Sequence, residues 1–222
     1  MKNSVFTITK NDKLTSNVYI MALKGDTTDI KCGQFVNIKL DGLFLRRPIS
    51  VCDVEGDVLT IIYKVVGRGT EQMSQMGAGE KLDLLTGLGN GYDTSLSGER
   101  PLLLGGGVGV PPLYLLCKNL VSEGKRPTVV LGFNTSDEIF YENEFKKLGA
   151  DVIVATADGS YGVKGFVTDA ISDIDYSYFY TCDVFYSCHF SRHNIHQYGR
   201  WIYCFSTRYV YTNRIQCRYL LS

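Results

Sequence analysis

Four stretches carry residue types that can do chemistry. In LLLGGGVGVPPLYLL, residues 102–116, Gly105, Gly106, Gly107 and Gly109 separate an apolar run from a helix opened by Pro111 and Pro112. Glycines there let the backbone approach a diphosphate, and the start of the helix supplies N–H groups and a favourable dipole. The spacing is not Gly-x-Gly-x-x-Gly, because Val110 stands where the third glycine falls, and a tight turn that binds nothing can use the same residues. In FLRRPISVCD, residues 44–53, Arg47 can fork onto a phosphate, Pro48 fixes the backbone, and the Ser50 hydroxyl can hydrogen-bond a ring edge. IIYKVVGRGTEQM, from Ile61, adds a ring for stacking (Tyr63), a cation (Lys64), and Gly69 and Thr70 at the start of a helix, a second anion-binding terminus. Last, YTCDVFYSCHF, residues 180–190, sets Cys182, Cys188 and His189 close together in the outline of a metal site.

The elements that must position these groups follow from hydrophobic periodicity. VFTITK from Val5, NVYIMAL from Asn17, QFVNIKL from Gln34, VLTIIYKV from Val58 and KLDLL from Lys81 alternate apolar and polar with period two, as half-buried strands do. Turn signals separate them at spacings that suit a small antiparallel barrel, and GTEQMSQMG from Gly69 is the one helical stretch among them. From Pro101 the rhythm becomes strand then helix, repeated: PLLLGGG, PPLYLLCKNLVSEG, TVVLGF, DEIFYENEFKKLG, DVIVATA, GFVTDAI, and a closing strand YSYFYTC. That is the pattern of a parallel sheet covered on both faces. Asp137 and Glu138 favour the start of the helix drawn over 137–149, facing the positive end of its dipole. The fold class is therefore α+β with two domains: an antiparallel β-barrel over 1–98 and an α/β domain with a parallel sheet over 99–182, followed by a tail, 183–222.

Composition excludes several classes. Lysine plus arginine and aspartate plus glutamate stand at 23 each in 222 residues, so no overall field recruits nucleic acid or an anionic membrane. No run of about 18 apolar residues is present to span a bilayer. MKNSVFTITKNDKL returns to polar residues before an apolar core can form, so it does not read as a signal peptide, and a cytoplasmic protein is expected.

Taken in order and spacing, RRPIS, IIYKV, GRGT, LTGLGNGY, GGGVGVPPLYLL, FYENEF, ATADGSYGVKGFVTDAI and YTC resemble the electron-transfer subunits of type B dihydroorotate dehydrogenases, within the ferredoxin-reductase superfamily. The resemblance covers residues 1–182. It implies a Greek-key flavin barrel holding FAD against Arg47, Pro48, Ile49 and Ser50, against Ile62, Tyr63 and Lys64, and against Gly69 and Thr70. It implies NAD(H) over Gly105, Gly106, Gly107, Val108 and Gly109, with Cys182 near the nicotinamide as the first residue of the family's Cys-Gly-Pro. It also implies a [2Fe–2S] cluster and an FMN-containing catalytic subunit as partner, two copies of each in a heterotetramer, in pyrimidine biosynthesis. No side-chain acid or base is needed for hydride transfer between two cofactors. Asp137 and Glu138, with no arginine beside them for a 2′-phosphate, favour NADH over NADPH. The input subunit of another flavin reductase, of the ferredoxin-NADP reductase or sulfide dehydrogenase type, and an inactive nucleotide-binding remnant stay open as alternatives.

The chain departs from that pattern after Cys182. Residues 1–182 hold 18 basic residues, thirteen of them lysine, and no histidine or tryptophan; 183–222 hold five arginines, no lysine, all three histidines, Trp201 and ten aromatics. Cys182, Cys188, Cys204 and Cys217 are separated by 5, 15 and 12 residues, whereas a plant-type [2Fe–2S] loop needs Cys-x4-Cys-x2-Cys and a later fourth. The family's four-cysteine motif is not matched, and no metal ligand set is assigned. A zinc site on Cys188, His189, His193 and His196, a nucleic-acid surface of arginines and aromatics, and translation in a shifted frame are the three readings of this tail. The last accounts for the loss of motif and the abrupt change of composition together. The coding DNA tests it: a shifted frame must encode Gly-Pro and a close cysteine cluster beyond codon 182.

Overall fold

A computed structural model describes residues 1–171 and the backbone of two short strands, 184–187 and 202–205. The chain divides into two compact units, Met1–Tyr92 with Tyr114–Leu116, and Asp93–Leu113 with Cys117 onwards.

The period-two stretches form the first unit. Strands β1 (Lys2–Lys13), β2 (Val18–Lys24), β3 (Phe35–Lys39), β4 (Arg47–Glu55), β5 (Val58–Lys64) and β6 (Lys81–Leu88) close into an antiparallel barrel in the order β1-β2-β5-β4-β3-β6. Alternate residues point inward: Phe6, Met21, Ile38, Ile61 and Leu84 are fully buried, each contributing roughly 1.5–3 kcal/mol by leaving water. Closure rests on β1 meeting β6, Lys2↔Thr86 through Thr7↔Lys81. Arg46 secures the wall beside this seam, donating to the Asp83 carboxylate at 2.8 Å and to the carbonyls of Asn37 and Asp83. The short helix α1 (Arg68–Gln75) follows β5 and seats Met73 in the core.

The second unit is a parallel sheet. Its strands β7 (Leu102–Gly106), β8 (Thr128–Phe133), β9 (Asp151–Thr156), β10 (Val163–Lys164), β11 (Val184–Ser187) and β12 (Ile202–Phe205) lie in the order β10-β9-β8-β7-β11-β12. Helices α2 (Pro111–Ser122), α3 (Glu142–Leu148) and α4 (Val167–Ala170) stand between strands. The sheet grows from β7 to one side through β8 and β9, and then resumes on the other side of β7. The strand order thus reverses at β7, the position where open α/β sheets hold ligands.

One expectation needs correction, one falls outside the described residues, and one element has no counterpart in the sequence reading. The helix drawn over 137–149 is interrupted: Ser136–Glu138 form a 3-10 turn, Tyr141 takes a left-handed backbone (φ 67°), and α3 begins only at Glu142. The acids in its first turn are therefore Glu142 and Glu144 rather than Asp137 and Glu138. The closing strand YSYFYTC lies outside the described residues, and the strand beside β7 is β11, pairing Val184↔Leu102 through Ser187↔Gly105. The edge strand β10 is only two residues long, too short for periodicity to reveal.

Candidate cofactor cradle and nucleotide turn

The barrel residues singled out from sequence come together at one end. β4 and β5 run antiparallel, and their ladder stops at Val51↔Ile61. Beyond that point each strand keeps its other neighbour: β4 pairs with β3 as far as Arg47↔Ile38, and β5 with β2 as far as Lys64↔Val18. The two strands therefore part, and the facing edges of Arg47–Ser50 and Ile62–Lys64 line a notch. Their edge N–H and C=O groups stand outside the β4–β5 ladder, and such groups seek partners. A flat heterocycle with donors and acceptors along its rim suits a notch of this kind.

Helix α1 opens beside the notch. Its N-cap, Gly67, has no side chain to accept from the first-turn N–H groups, which leaves them for an anion. Thr70 ties this terminus to the preceding turn: its hydroxyl oxygen accepts from the N–H groups of Val66 and Gly67, at 3.0 and 3.4 Å, and its hydroxyl donates to the Gly67 carbonyl. The Arg47 side chain lies directly over Gly69. A Cβ on residue 69 would stand 2.9 Å from both Cδ and Cζ of Arg47 and nearer still to Nε. One Arg47 N–H group donates to the Leu45 carbonyl at 2.5 Å, and among the described residues no carboxylate pairs with Arg47. A guanidinium against a helix N-terminus can hold a phosphate by charge and geometry together.

The structure gives Tyr63 a different part from the stacking role its type suggests. Its ring is 1% exposed, stacks on Tyr19 at 5.9 Å, and donates its hydroxyl hydrogen to Asn11 Oδ1 at 2.9 Å. Burial pushes its pKa up to about 12. With the ring committed to the barrel, residue 63 offers a ligand its backbone. Ser50 and Ile62 are likewise buried, while Arg47, Pro48, Ile49 and Lys64 are half-buried.

In the second unit the glycine turn follows β7 at the reversal of strand order. Gly107 has φ +53°, and the space where its Cβ would stand is open. At Gly105 a Cβ would lie 2.7 Å from Leu113 Cδ1 and 3.1 Å from Val110 Cα, so strand and turn approach as closely as glycine allows. Val108 and the buried Gly109 complete a short 3-10 turn. The expected row of N–H donors at the start of α2 is depleted, however. Pro111 and Pro112 occupy its first two positions and have no N–H, and the next N–H, of Leu113, is taken by the Val110 carbonyl at 3.1 Å. An anion here meets the N–H groups of the turn rather than those of the helix.

Two further loops stand at the same, carboxyl, edge of this sheet, and periodicity gives no sign of their joining. The Ser136 N–H donates to Ser160 Oγ at 2.8 Å, and the Asp158 N–H to the Asn134 carbonyl at 3.2 Å. Asp137 accepts from the Thr135 hydroxyl and Glu138 from the Asn134 amide, so both acids order their own turn. Cys182 lies outside the described residues, as do Cys188, His189, His193 and His196. Cys32, Cys52 and Cys117 are buried thiols outside any disulfide, and no group of three or more metal-ligating side chains is found among the described residues. No described helix is long and apolar enough to cross a membrane.

No family model matches the chain. Curated proteins do. The dihydroorotate dehydrogenase B (NAD(+)) electron transfer subunit of Bacillus pumilus is 45% identical over 197 residues, covering 85% of this chain and 74% of its own length. Its namesake in Fusobacterium nucleatum is 44% identical, with 85% and 76% covered. Among solved structures, an NADH-dependent reduced ferredoxin-NADP oxidoreductase superposes with a TM-score of 0.72 at 31% identity, over 81% of this chain and 66% of that one. The FAD/NAD-binding domain of a Vibrio cholerae nitric oxide dioxygenase superposes at 0.70 and 19% identity, over 83% and 86%, a likeness of fold alone. On these relationships the chain belongs to the family of dihydroorotate dehydrogenase B (NAD(+)) electron transfer subunits.

Proposed function

We propose that the barrel, residues 1–98, binds FAD in the notch between β4 and β5, and that the α/β domain, residues 99–182, presents NAD(H) over the 105–109 turn. The parting of β4 from β5 beside Arg47, which lies on the start of α1 and pairs with no carboxylate among the described residues, carries this reading. A flat ring and a phosphate find complementary groups within one strand-turn-helix. Arg47 and the first-turn N–H groups of α1 neutralise the phosphate; Pro48, Ile49, Ser50, Ile62, Tyr63 and Lys64 hold the ring edge and keep water from it. FAD, when bound, supplies hydride exchange with the nicotinamide and can release electrons singly to a one-electron acceptor. The chain's task is orientation, and none of the cradle side chains has to give or take a proton.

The relatives' designation as an electron transfer subunit supports a partner: an FMN-containing dihydroorotate dehydrogenase catalytic subunit, in the cytoplasm, two copies of each forming a heterotetramer. The residues of this chain do not fit a [2Fe–2S] cluster by cysteine spacing, and no group of three or more metal-ligating side chains is found among the described residues. No step is assigned to such a cluster. Asp137 and Glu138 support NADH over NADPH by repelling a 2′-phosphate, although each also orders its own turn.

The test is direct. The chain expressed with added flavin should be yellow, release FAD on denaturation, and bleach when NADH is added without oxygen. A colourless protein that binds no flavin on titration would refute the reading.

A further inference from the structure

Asn11 lies on β1 and is absent from every ligand-facing segment described above, yet its carboxamide joins two of them. Its Nδ2 donates to the carbonyls of Met73 and Met76, both at 2.8 Å, at the carboxyl end of α1. Its Oδ1 accepts from the Tyr63 hydroxyl at 2.9 Å. Both N–H groups of the amide are used at the helix end: one on the Met76 carbonyl, beyond the last intrahelical bond, and one on the Met73 carbonyl, which also accepts from the Met76 N–H at 3.2 Å. The Tyr63 ring that completes the link is buried and stacked on Tyr19. Residues 63–76 are thus a strand-turn-helix tied at both ends: Thr70 closes the turn where the helix starts, and Asn11 clamps the end of the helix to the end of the strand.

This closure has a specific consequence for a ligand that touches both parts. The ring edge rests on the backbone of Ile62–Lys64, and the phosphate rests on the start of α1, so the distance between the two subsites is set by how α1 sits against β5. We propose that Asn11 is a positioning residue for the phosphate of the bound flavin. It holds α1 at the spacing that lets one molecule fill the notch and the helix terminus together. The inference rests on the flavin reading above. It adds a residue that touches no ligand and acts through α1.

Two probes separate this role from general support of the barrel. Riboflavin fills the ring subsite only; FMN fills ring and phosphate subsites. In the full-length protein, FMN should bind more tightly than riboflavin. In Asn11→Leu that advantage should shrink about fivefold, the factor corresponding to one net hydrogen bond's worth of positioning, while riboflavin affinity stays as in the parent. Tyr63→Phe, which deletes only the hydroxyl that Asn11 accepts, should shrink it in the same direction and by less, and serves if Asn11→Leu does not fold. Equal weakening of both probes would assign Asn11 a purely structural role and overturn the proposal, as would no change in either. Failure of the unsubstituted protein to bind either flavin would instead remove the flavin reading itself.

Discussion

Gly69→Ala should separate stability from cofactor affinity, moving them in opposite directions. Gly69 lies in the first turn of α1 and is not among the glycines with positive φ, so alanine can adopt its backbone conformation. Inside a helix, that exchange stabilises by about 1 kcal/mol, which in a chain of this size raises Tm by about 2–4 °C. The new methyl, however, would occupy the place of the Arg47 side chain, with Cδ and Cζ 2.9 Å away and Nε nearer. What must move is the far end of a flexible side chain, so the fold survives and the guanidinium leaves the helix terminus. Charge-assisted hydrogen bonds are worth about 1.5–3 kcal/mol, so the loss of Arg47 from a phosphate should weaken FAD binding roughly 10- to 150-fold. The assay is urea unfolding of the apoprotein alongside FAD titration followed by flavin fluorescence. In an Arg47→Ala background the same substitution should cost little further affinity, because the side chain it displaces is already gone. FAD affinity within about twofold of the parent, or an additive loss in the double variant, would show that Arg47 does not hold the phosphate.

Other perturbations read different parts of the structure. Burial raises Tyr63 from 10.0 to about 12 and Cys117 from 9.0 to about 12. Above pH 9–10 the unfolded chain therefore sheds protons that the folded chain retains, and stability falls as pH rises toward 12, by up to about 1.4 kcal/mol per pH unit per group; Tyr63→Phe and Cys117→Ala should each flatten that limb in alkaline unfolding curves. Arg46 holds the Asp83 carboxyl below the usual carboxylate range, so its contribution is present above the ordinary aspartate pKa and fades as pH drops through the lowered value. Asp83→Asn should cost about 1–2 kcal/mol at neutral pH and less in acid, measured by urea midpoints. Gly162→Ala should destabilise by roughly 2–4 kcal/mol, since φ is +65° and a Cβ would press on the Val154 carbonyl, its carbon 2.9 Å away; limited proteolysis in the 157–165 loop should rise accordingly.

The two-unit plan was legible because period-two strands and strand-helix alternation are written into local hydrophobicity. β2 and β5 needed nothing more than VYIMAL and VLTIIY. Side-chain allegiance was not legible. Tyr63 looked like a stacking ring on type alone, and its commitment to Tyr19 and Asn11 depends on β1 and β2 folding against β5, a tertiary fact. Pro111 and Pro112 marked the start of α2 correctly, yet the same two residues strip it of the donors an anion would use. The break at Tyr141 was hidden because a left-handed backbone at a non-glycine residue carries no sequence signal, and the acids at 137 and 138 looked like a helix start. The notch was invisible in principle: it arises where a ladder stops, and register is a property of two strands at once.

The seam between β1 and β6 also sets an order of assembly. All six barrel strands are complete at Leu88, and every residue of the proposed cradle, from Arg47 to Thr70, precedes that point. The parallel sheet must instead wait for late-made residues, because β7, its first strand, acquires its second neighbour only at Val184. Chains fold domain by domain as they are made, amino end first. A growing chain would thus complete the proposed cradle while β7 still showed an open edge, and a shortage of the cofactor proposed to fill it would be felt at the start of its life rather than at the end.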